Sequence, residues 1–209
     1  MYVPEKFREQ RPEVLHGLMR AHPLATLIAV GEAGIIANHV PMELHAEPAP
    51  LGALRGHIAR ANPLWKQYPA GSEVLAIFQG PEHYISPNLY ATKRETGEVV
   101  PTWNYAVVHA RGTLNFTEDA AWLRSLVTRL TDSHEASQTA PWKVTDAPEP
   151  FTQSMLKIIV GFEFRVTSLT GKFKLSQNRT QADRRGVLEG LTASSDAEAR
   201  EMAGMLSLE

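Results

Sequence analysis

Six segments of the chain have the apolar patterns of β-strands, and no regular alternation of strand and helix connects them. The pattern is clearest over residues 162–166, where Phe162, Phe164 and Val166 occupy the apolar positions. A doubly wound parallel sheet would place a helix after each strand, and the chain contains neither a GxGxxG fingerprint nor a Walker loop. The pattern therefore predicts a mainly β fold with peripheral helices, built on a six-stranded antiparallel barrel. The predicted strands are residues 24–30, 35–44, 53–60, 73–80 and 102–116, with the sixth inside 154–176.

The remaining segments predict short helices, a hairpin turn and one long loop. Apolar residues at helical spacing predict a helix near the N-terminus, and Thr117 is expected to cap another. Residues 61–69 have the pattern of a short helical turn closed by Pro69, and the glycines of residues 31–34 favour a hairpin turn. Residues 81–102 show no periodicity, which predicts a long irregular loop of the kind that is usually functional or mobile.

Length and composition suit one soluble domain. The chain has 209 residues, of which 43% are hydrophobic, enough for a single core. We expect a barrel domain over residues 1–180 and a charged, helix-prone tail over residues 181–209 packed on the same domain. The absence of cysteine excludes disulfides, thiol nucleophiles and cysteine metal sites. No signal-peptide pattern and no bilayer-length apolar run occurs, so a cytoplasmic protein without a membrane partner is expected.

Polar residues at the end of the second predicted strand form a first candidate site. Asn38, His39 and Val40 precede Pro41, whose missing N–H ends the strand or confines it to a sheet edge. These residues are either ligand contacts or a strand end whose polar groups turn to solvent.

Cationic residues on the third predicted strand form a second candidate site, suited to an anion. Arg55 and His57 lie on one strand face and Arg60 on the other if the pairing is regular. Asn62 and Pro63 are expected to begin a helical turn, whose N–H groups would favour a phosphate. The alternative is a solvated basic face.

Aromatic residues on the fifth predicted strand form a third candidate site. Trp103 and Tyr105 share a strand face, and rings at that spacing can line a flat ligand, although an ordinary core or subunit interface explains them more simply. The polar, cationic turn from Gly171 to Arg179 offers a second anion contact. No GxSxG or HExxH motif is present, and no histidine pair has metal-ligand spacing, so no metal is expected.

Taken in order, these segments resemble the PaiB family of FMN-binding split-barrel proteins. The resemblance covers residues 1–179 and rests on MYVPEKF, HPLATL, IANHVPMEL, GHIARANP, FQGPEHYISPNLY, VPTWNYAVVHARG and GKFKLSQNR. It implies a split β-barrel homodimer, related to the pyridoxamine-phosphate-oxidase-like flavoproteins, that holds FMN at the dimer interface.

The resemblance also implies roles for residues of this chain. Asn38, His39 and Val40 would flank the isoalloxazine ring. Arg55, His57 and Arg60 are candidates for phosphate or ribityl contacts, and His57 and Arg60 are favoured because both lie in GHIARANP. The residues expected to close the pocket are Trp103, Asn104, Tyr105, Lys174 and Gln177.

Several functions remain open at this level. The family is described as negative transcriptional regulators, which implies a repressor. The net charge of −2 and the lack of a convincing helix–turn–helix do not support direct DNA binding, and the best basic stretch, residues 172–185, has five Lys and Arg. The alternatives are a flavin-dependent oxidoreductase or flavin reductase, without an evident acid or base, and a haem-binding protein with His57, His83 or His109 as axial ligand.

Overall fold

The computed structural model describes residues 1–31, 34–48, 50–68 and 70–207. Its strands form a sheet in the order β3-β2-β6-β7-β8-β5-β4, with β1 paired to β8. Turn residues 32 and 33 and Pro69, which the sequence places in a hairpin turn and at a helix end, lie outside the described residues. The strands are β1 (Arg8–Glu9), β2 (Leu24–Gly31), β3 (Gly34–Pro41), β4 (Glu43–His45), β5 (Ala53–Ala59), β6 (Ser72–Ile85), β7 (Thr102–Thr117) and β8 (Ile159–Lys174).

Helices flank the strands, as predicted, and most of them are short. The helix-prone tail forms the last two of them. None of the helices in the described part of the chain has the length and apolarity of a bilayer-spanning helix. They are α1 (Pro12–Ala21), α2 (Leu64–Gln67), α3 (Thr92–Glu95), α4 (Ala120–Glu135), α5 (Glu149–Leu156), α6 (Gln181–Thr192) and α7 (Ala197–Gly204), with 3-10 turns at Glu5–Phe7, Pro87–Leu89 and Val144–Asp146.

The mainly β, antiparallel class is confirmed, whereas the predicted count of six strands is wrong because the described residues form eight. One extra strand is the two-residue β1. The other arises at Pro41, which has no N–H for the ladder and ends β3. The next residue, Met42, donates its N–H to the backbone oxygen of Pro23 at 2.9 Å. The chain then pairs with β5 as β4, so one predicted strand serves two different neighbours.

Two further boundaries differ from the sequence prediction. The predicted loop over residues 81–102 is wrong in its first part, because β6 continues to Ile85, whose side chain is fully buried. Asp119 caps α4 in place of Thr117, and its carboxylate accepts a hydrogen bond from the N–H of Trp122 at 2.6 Å. Thr117 is instead the last residue of β7.

The chain divides into two compact units. Unit 1 comprises Met1–Ala21, Gln79–His109 and Thr170–Glu209, and unit 2 comprises His22–Phe78 and Ala110–Leu169. Because β6, β7 and β8 run across these bounds, each contributes residues to both units.

Strand alternation builds the core of unit 2. On β2, Ala25, Leu27 and Ala29 are buried, while Leu24 and Val30 on the opposite face are exposed. Helix α4 covers β8 at a residue without a side chain, Gly161, where a Cβ would lie 2.3 Å from the Trp122 ring. The sheet of unit 2 therefore has one face in the core and a second face that α4 covers only in part.

The core of unit 1 lies against the C-terminal helices. Its buried side chains come from the end of β6, from the segment after it and from α6 and α7: Ile85, Tyr90, Val187, Leu191, Ala199, Met202 and Ala203. Asp183 of α6 is 3% exposed and accepts hydrogen bonds from the backbone N–H and the hydroxyl of Thr92, both at 2.9 Å. These bonds fasten α6 to the start of α3.

Candidate functional site

In unit 2, the end of β3 approaches β5 and the turn that follows it. Asn62 accepts a hydrogen bond from the N–H of Leu64 at 3.0 Å through its Oδ1, which fixes the orientation of its amide. The Nδ2 of Asn62 then donates to the Oδ1 of Asn38 at 2.7 Å. The Nδ2 of Asn38 is therefore left as a donor, and it is buried without a hydrogen-bond partner in the described residues. The sequence marked Asn62 only as the start of a helical turn.

The other two residues of the first candidate site face in opposite directions. Val40 lies opposite Ala25 and is buried, as its place on the core face requires. His39 lies opposite Thr26 and is exposed. The three predicted residues are therefore adjacent in sequence but divided between the two faces of the sheet.

Gly56 of β5 allows the close approach of β3. A Cβ at this position would lie 2.9 Å from the backbone oxygen of Pro41 and 2.5 Å from Cζ of Phe162. Since Phe162 is fully buried, its ring has little room to shift. The glycine thus brings the end of β3 against the strand that carries the predicted cations.

Arg55 and His57 share one face of β5, as predicted. Nε of Arg55 donates to Oε2 of Glu163, its cross-strand neighbour, at 2.9 Å, and Nη2 lies 2.8 Å from the same oxygen in an ion pair. His57 lies opposite Gly161, and its Nδ1 is buried without a hydrogen-bond partner in the described residues. Burial lowers the pKa of His57, so this imidazole is neutral near pH 7 and offers hydrogen bonding without charge.

Arg60, a favoured phosphate ligand from the sequence, is held by internal contacts. Its Nε donates to the backbone oxygen of Lys157 at 2.6 Å, its Nη2 donates to that of Ile159 at 3.2 Å, and its Nη1 pairs with the carboxylate of Glu118. Its guanidinium also lies 5.7 Å from the Trp65 ring centroid. Arg60 therefore connects the end of β5 to Glu118, which precedes α4, and to Lys157 and Ile159, which follow α5. In Arg55, by contrast, Nη1 is not engaged in the described residues and can bind a ligand.

The pocket-closing residues named from the sequence lie in unit 1 and differ in accessibility. Asn104 is fully buried and exchanges hydrogen bonds with the hydroxyl of Ser176 at 2.9 and 3.1 Å. Gln177 accepts from the N–H of Leu175 and donates to the backbone oxygen of Phe173, both at 2.6 Å. These two amides shape the turn after β8, where Ser176 has a φ of 64°.

The remaining three residues of that group form an aromatic and cationic surface. Trp103 is exposed, and Tyr105 is half-buried beside the ammonium of Lys172, which lies 5.3 Å from its ring centroid. Lys174 donates to the hydroxyl of Thr102 and, at 2.8 Å, to the backbone oxygen of Trp103. The structure thus places Asn38, His39, Val40, Arg55, His57 and Arg60 in unit 2, and Trp103, Asn104, Tyr105, Lys174 and Gln177 in unit 1.

Comparison with known proteins connects this geometry to flavoproteins. The family model described as "Putative FMN-binding domain" matches residues 1–168. The chain is 31% identical to protease synthase and sporulation protein PAI 2 of Bacillus subtilis, over 99% of this chain and 96% of that protein. It is also 34% identical to the uncharacterized protein AN0679 of Emericella nidulans, over 91% of this chain and 90% of that protein.

The fold is similar to that of solved flavoproteins. The FAD and haem binding protein of Mycobacterium smegmatis superposes with a TM-score of 0.60 at 14% identity, covering 80% of this chain and 73% of that one. At this identity the similarity concerns the fold, which is a split barrel.

Proposed function

The chain belongs to the PaiB-type FMN-binding domain family, with FMN as its cofactor, and we propose that it functions as a homodimer in which Asn38, Arg55 and His57 of unit 2 contact the flavin. The observation that carries the site assignment is the buried Nδ2 of Asn38. Folded proteins leave few buried polar groups without a partner. A ligand that accepts a hydrogen bond would satisfy this amide.

The polar groups of unit 2 fit FMN, which combines a ring and ribityl chain rich in hydrogen-bonding atoms with a doubly charged phosphate. Asn38 supplies an unused donor, and neutral His57 supplies a second unused polar atom suited to uncharged parts of the cofactor. The phosphate needs positive charge because burying its charge unpaired is costly. Arg55 is the cation we assign to it, since its Nη1 is not engaged in the described residues while the guanidinium of Arg60 is.

The exposed face of β2 and β3 supports the homodimer. Leu24, Val30 and Ile35 are 61%, 69% and 76% exposed. Val30 and Ile35 are cross-strand neighbours and therefore lie on the same face. Large apolar side chains clustered on one sheet face are typical of a protein–protein interface. A second copy of the chain is the occupant we assign to this face.

FMN supplies electron and hydride chemistry when it is bound, and the chain supplies binding and orientation. In this role, Asn38 and His57 would offer hydrogen bonds from fixed positions, and the apolar face would exclude water. The proposal includes an oxidoreductase activity, in which the bound flavin accepts or donates the electrons. NAD(P)H oxidation that increases with FMN occupancy would support it, and flavin-loaded protein that leaves both nicotinamides unoxidised would contradict it.

A role in negative transcriptional regulation comes from the PaiB-type family, and we assign it to the flavin-loaded dimer. The basic stretch 172–185 is largely engaged in the structure: Arg184 donates to the backbone oxygen of Ser207, and Arg179 lies 4.6 Å from the Tyr90 ring centroid. Regulation by direct contact requires a salt-sensitive mobility shift of duplex DNA. If no shift occurs at low salt, the direct form of the proposal is wrong.

Titration of FMN and riboflavin into site variants tests the flavin assignment. Asn38→Ala removes one neutral hydrogen bond and should weaken both ligands about three- to tenfold. Arg55→Met should weaken FMN about tenfold or more and leave riboflavin nearly unchanged, because riboflavin has no phosphate. Asn115→Ala, which replaces an exposed asparagine of β7, is the matched control and should bind FMN like the unmodified chain.

Flavin absorbance and fluorescence quenching report binding, with the oligomeric state and circular dichroism checked for each variant. If Asn38→Ala and Arg55→Met both bind FMN normally, the flavin lies elsewhere. A Soret band after haem addition, combined with no uptake of FMN, would favour the haem alternative.

A further inference from the structure

One face of the sheet in unit 1 carries exposed aromatic rings next to lysines. Trp103 and Tyr84 are 51% and 45% exposed. Their rings meet edge to face, with centroids 6.0 Å apart and planes at 72°. Tyr105 lies two residues after Trp103 on β7 and therefore on the same face. The exposed part of the Trp103 ring is an apolar surface on which another ring can stack.

Cations border these rings on the neighbouring strand. The ammonium of Lys172 lies 5.3 Å from the Tyr105 centroid and 5.7 Å from that of Tyr2. Arg8 lies directly opposite Lys172 in the β1–β8 pairing and therefore shares its face. Lys174 follows on the same face of β8, since Phe173 between them is buried.

The two lysines have no carboxylate partner in the described residues. The ammonium of Lys174 bonds only neutral oxygens, the hydroxyl of Thr102 and the backbone oxygen of Trp103. Burial lowers the pKa of Lys174, and the positive charges of Lys172 and Arg179 lower it further. This face therefore concentrates positive charge that a bound anion would stabilise.

We propose that this face of unit 1 binds a planar aromatic anion, a small molecule whose ring stacks on Trp103 and whose carboxylate or phosphate pairs with Lys172 and Lys174. A stacked ring would use the exposed aromatic surface, and the anionic group would pair with the two ammonium groups, which have no carboxylate partner in the described residues. The residues of this face belong to unit 1, whereas the flavin contacts proposed above, Asn38, Arg55 and His57, belong to unit 2.

A small molecule fits this face better than a nucleic acid strand. A strand-binding surface combines several stacking rings with a cationic track along the backbone. Here two rings are substantially exposed, and Lys172 covers the third. The net charge of the chain is −2, so the positive charge is local. One ring with one anionic group matches the extent of the site.

Calorimetric titration of the FMN-loaded protein with 2-naphthoate and with 1-naphthyl phosphate tests the proposal. The two probes share the ring and distinguish a carboxylate ligand from a phosphate ligand. We expect at least one of them to bind once per chain, and uncharged 2-naphthalenemethanol to bind at least about fivefold more weakly. Trp103→Ala should weaken the anion at least about fivefold through lost stacking, and Lys172→Met should weaken it about fivefold or more while keeping the aliphatic stem.

Lys66→Met is the matched control, because Lys66 lies 5.0 Å from the Trp65 ring centroid in unit 2 and offers the same pair of side chains elsewhere. This variant should bind the probe normally. Circular dichroism confirms the fold of each variant, and Trp103→Phe, which retains a ring, should recover part of the affinity.

Four results would overturn the proposal. These are no heat from either probe with folded protein, affinity in both Trp103→Ala and Lys172→Met that equals that of the unmodified protein, competition between the probe and FMN, and tighter binding of an oligothymidylate that displaces the probe. Competition would assign the face to the flavin site, and displacement by the oligonucleotide would assign it to nucleic acid. If the chain takes up no FMN, the same titration on the flavin-free protein decides this proposal separately.

Discussion

At the scale of single residues, the buried imidazole of His57 links the stability of the protein to pH. Burial lowers the pKa of His57 below its ordinary value of 6.5. The unfolded chain, in which this imidazole is solvated, therefore binds the proton more strongly than the folded chain. The free energy of unfolding should rise with pH between the lowered folded pKa and about 6.5, and this contribution should be constant above that range.

His57→Gln should remove this pH dependence, because glutamine keeps a polar side chain but does not titrate. We expect the unmodified protein to lose more stability than the variant between pH 7.5 and pH 5, measured by urea unfolding at each pH. His39→Gln, which replaces an exposed imidazole on β3, is the control and should retain the slope. Parallel stability curves for the unmodified protein and His57→Gln would show that His57 does not carry the effect.

Arg60 illustrates what residue type alone leaves undetermined in a candidate site. The sequence identifies a cation beside a helical turn, which is the right chemistry for a phosphate. The backbone oxygens of Lys157 and Ile159 that bind it are almost a hundred positions away along the chain, and only the fold brings them near. The unused amide of Asn38 is equally invisible to the sequence, because it depends on the orientation of Asn62.

At the scale of elements, strands were predictable from the pattern of their apolar residues. The continuous apolar run of β2 and the alternation within β8 predicted those two strands correctly. Pairing partners were not predictable, because Pro41 marks a strand end in sequence but does not show that the next residues pair with β5. The end of β6 was missed because polar residues interrupt it before the buried Ile85.

The carboxylate of Asp183 hydrogen-bonds α6 to the first residue of α3. Burial acts to raise the pKa of Asp183, but hydrogen bonds from the backbone N–H and hydroxyl of Thr92, together with Thr180 and the charge of Arg179, outweigh it and hold that pKa below its ordinary value. The charged form is therefore the one that accepts both bonds. Its contribution to stability is present near neutral pH and is lost as the pH falls through the lowered pKa.

Asp183→Asn should loosen this junction, because an amide replaces one acceptor oxygen by a donor group. We expect a loss of roughly 1–3 kcal/mol in the free energy of unfolding, together with faster hydrogen exchange at α6 and residues 86–96. Asp132→Asn, which changes an exposed carboxylate on α4, is the control and should leave both quantities nearly unchanged. Unchanged exchange at α6 in Asp183→Asn would show that the junction is held by apolar packing alone.

At the scale of the whole molecule, the exposed face of β2 and β3 connects the proposed dimer to the proposed cofactor. Asn38 lies on β3 three residues after Ile35, so its side chain is on the opposite face of the same strand. A partner copy packed on the Ile35 face would hold this strand, and the unused amide that it offers, in a fixed position. Loss of the dimer should therefore weaken FMN binding even when every flavin contact in unit 2 is intact.

Ile35→Lys tests this connection, because it places a charge on the proposed interface of both copies at once. Burying those charges unpaired is costly, so we expect the dimer dissociation constant to rise at least about tenfold. Light scattering coupled to size-exclusion chromatography measures the mass, and FMN titration of the same samples should show weaker binding that recovers as protein concentration increases. Ile158→Lys provides the matched control, since Ile158 is 57% exposed and lies just after α5, outside the β2–β3 face. If Ile158→Lys dissociates the protein and Ile35→Lys does not, the copies associate through the surface next to α5. If Ile35→Lys gives monomers that bind FMN with unchanged affinity, one chain is sufficient for the flavin and the dimer has a separate role.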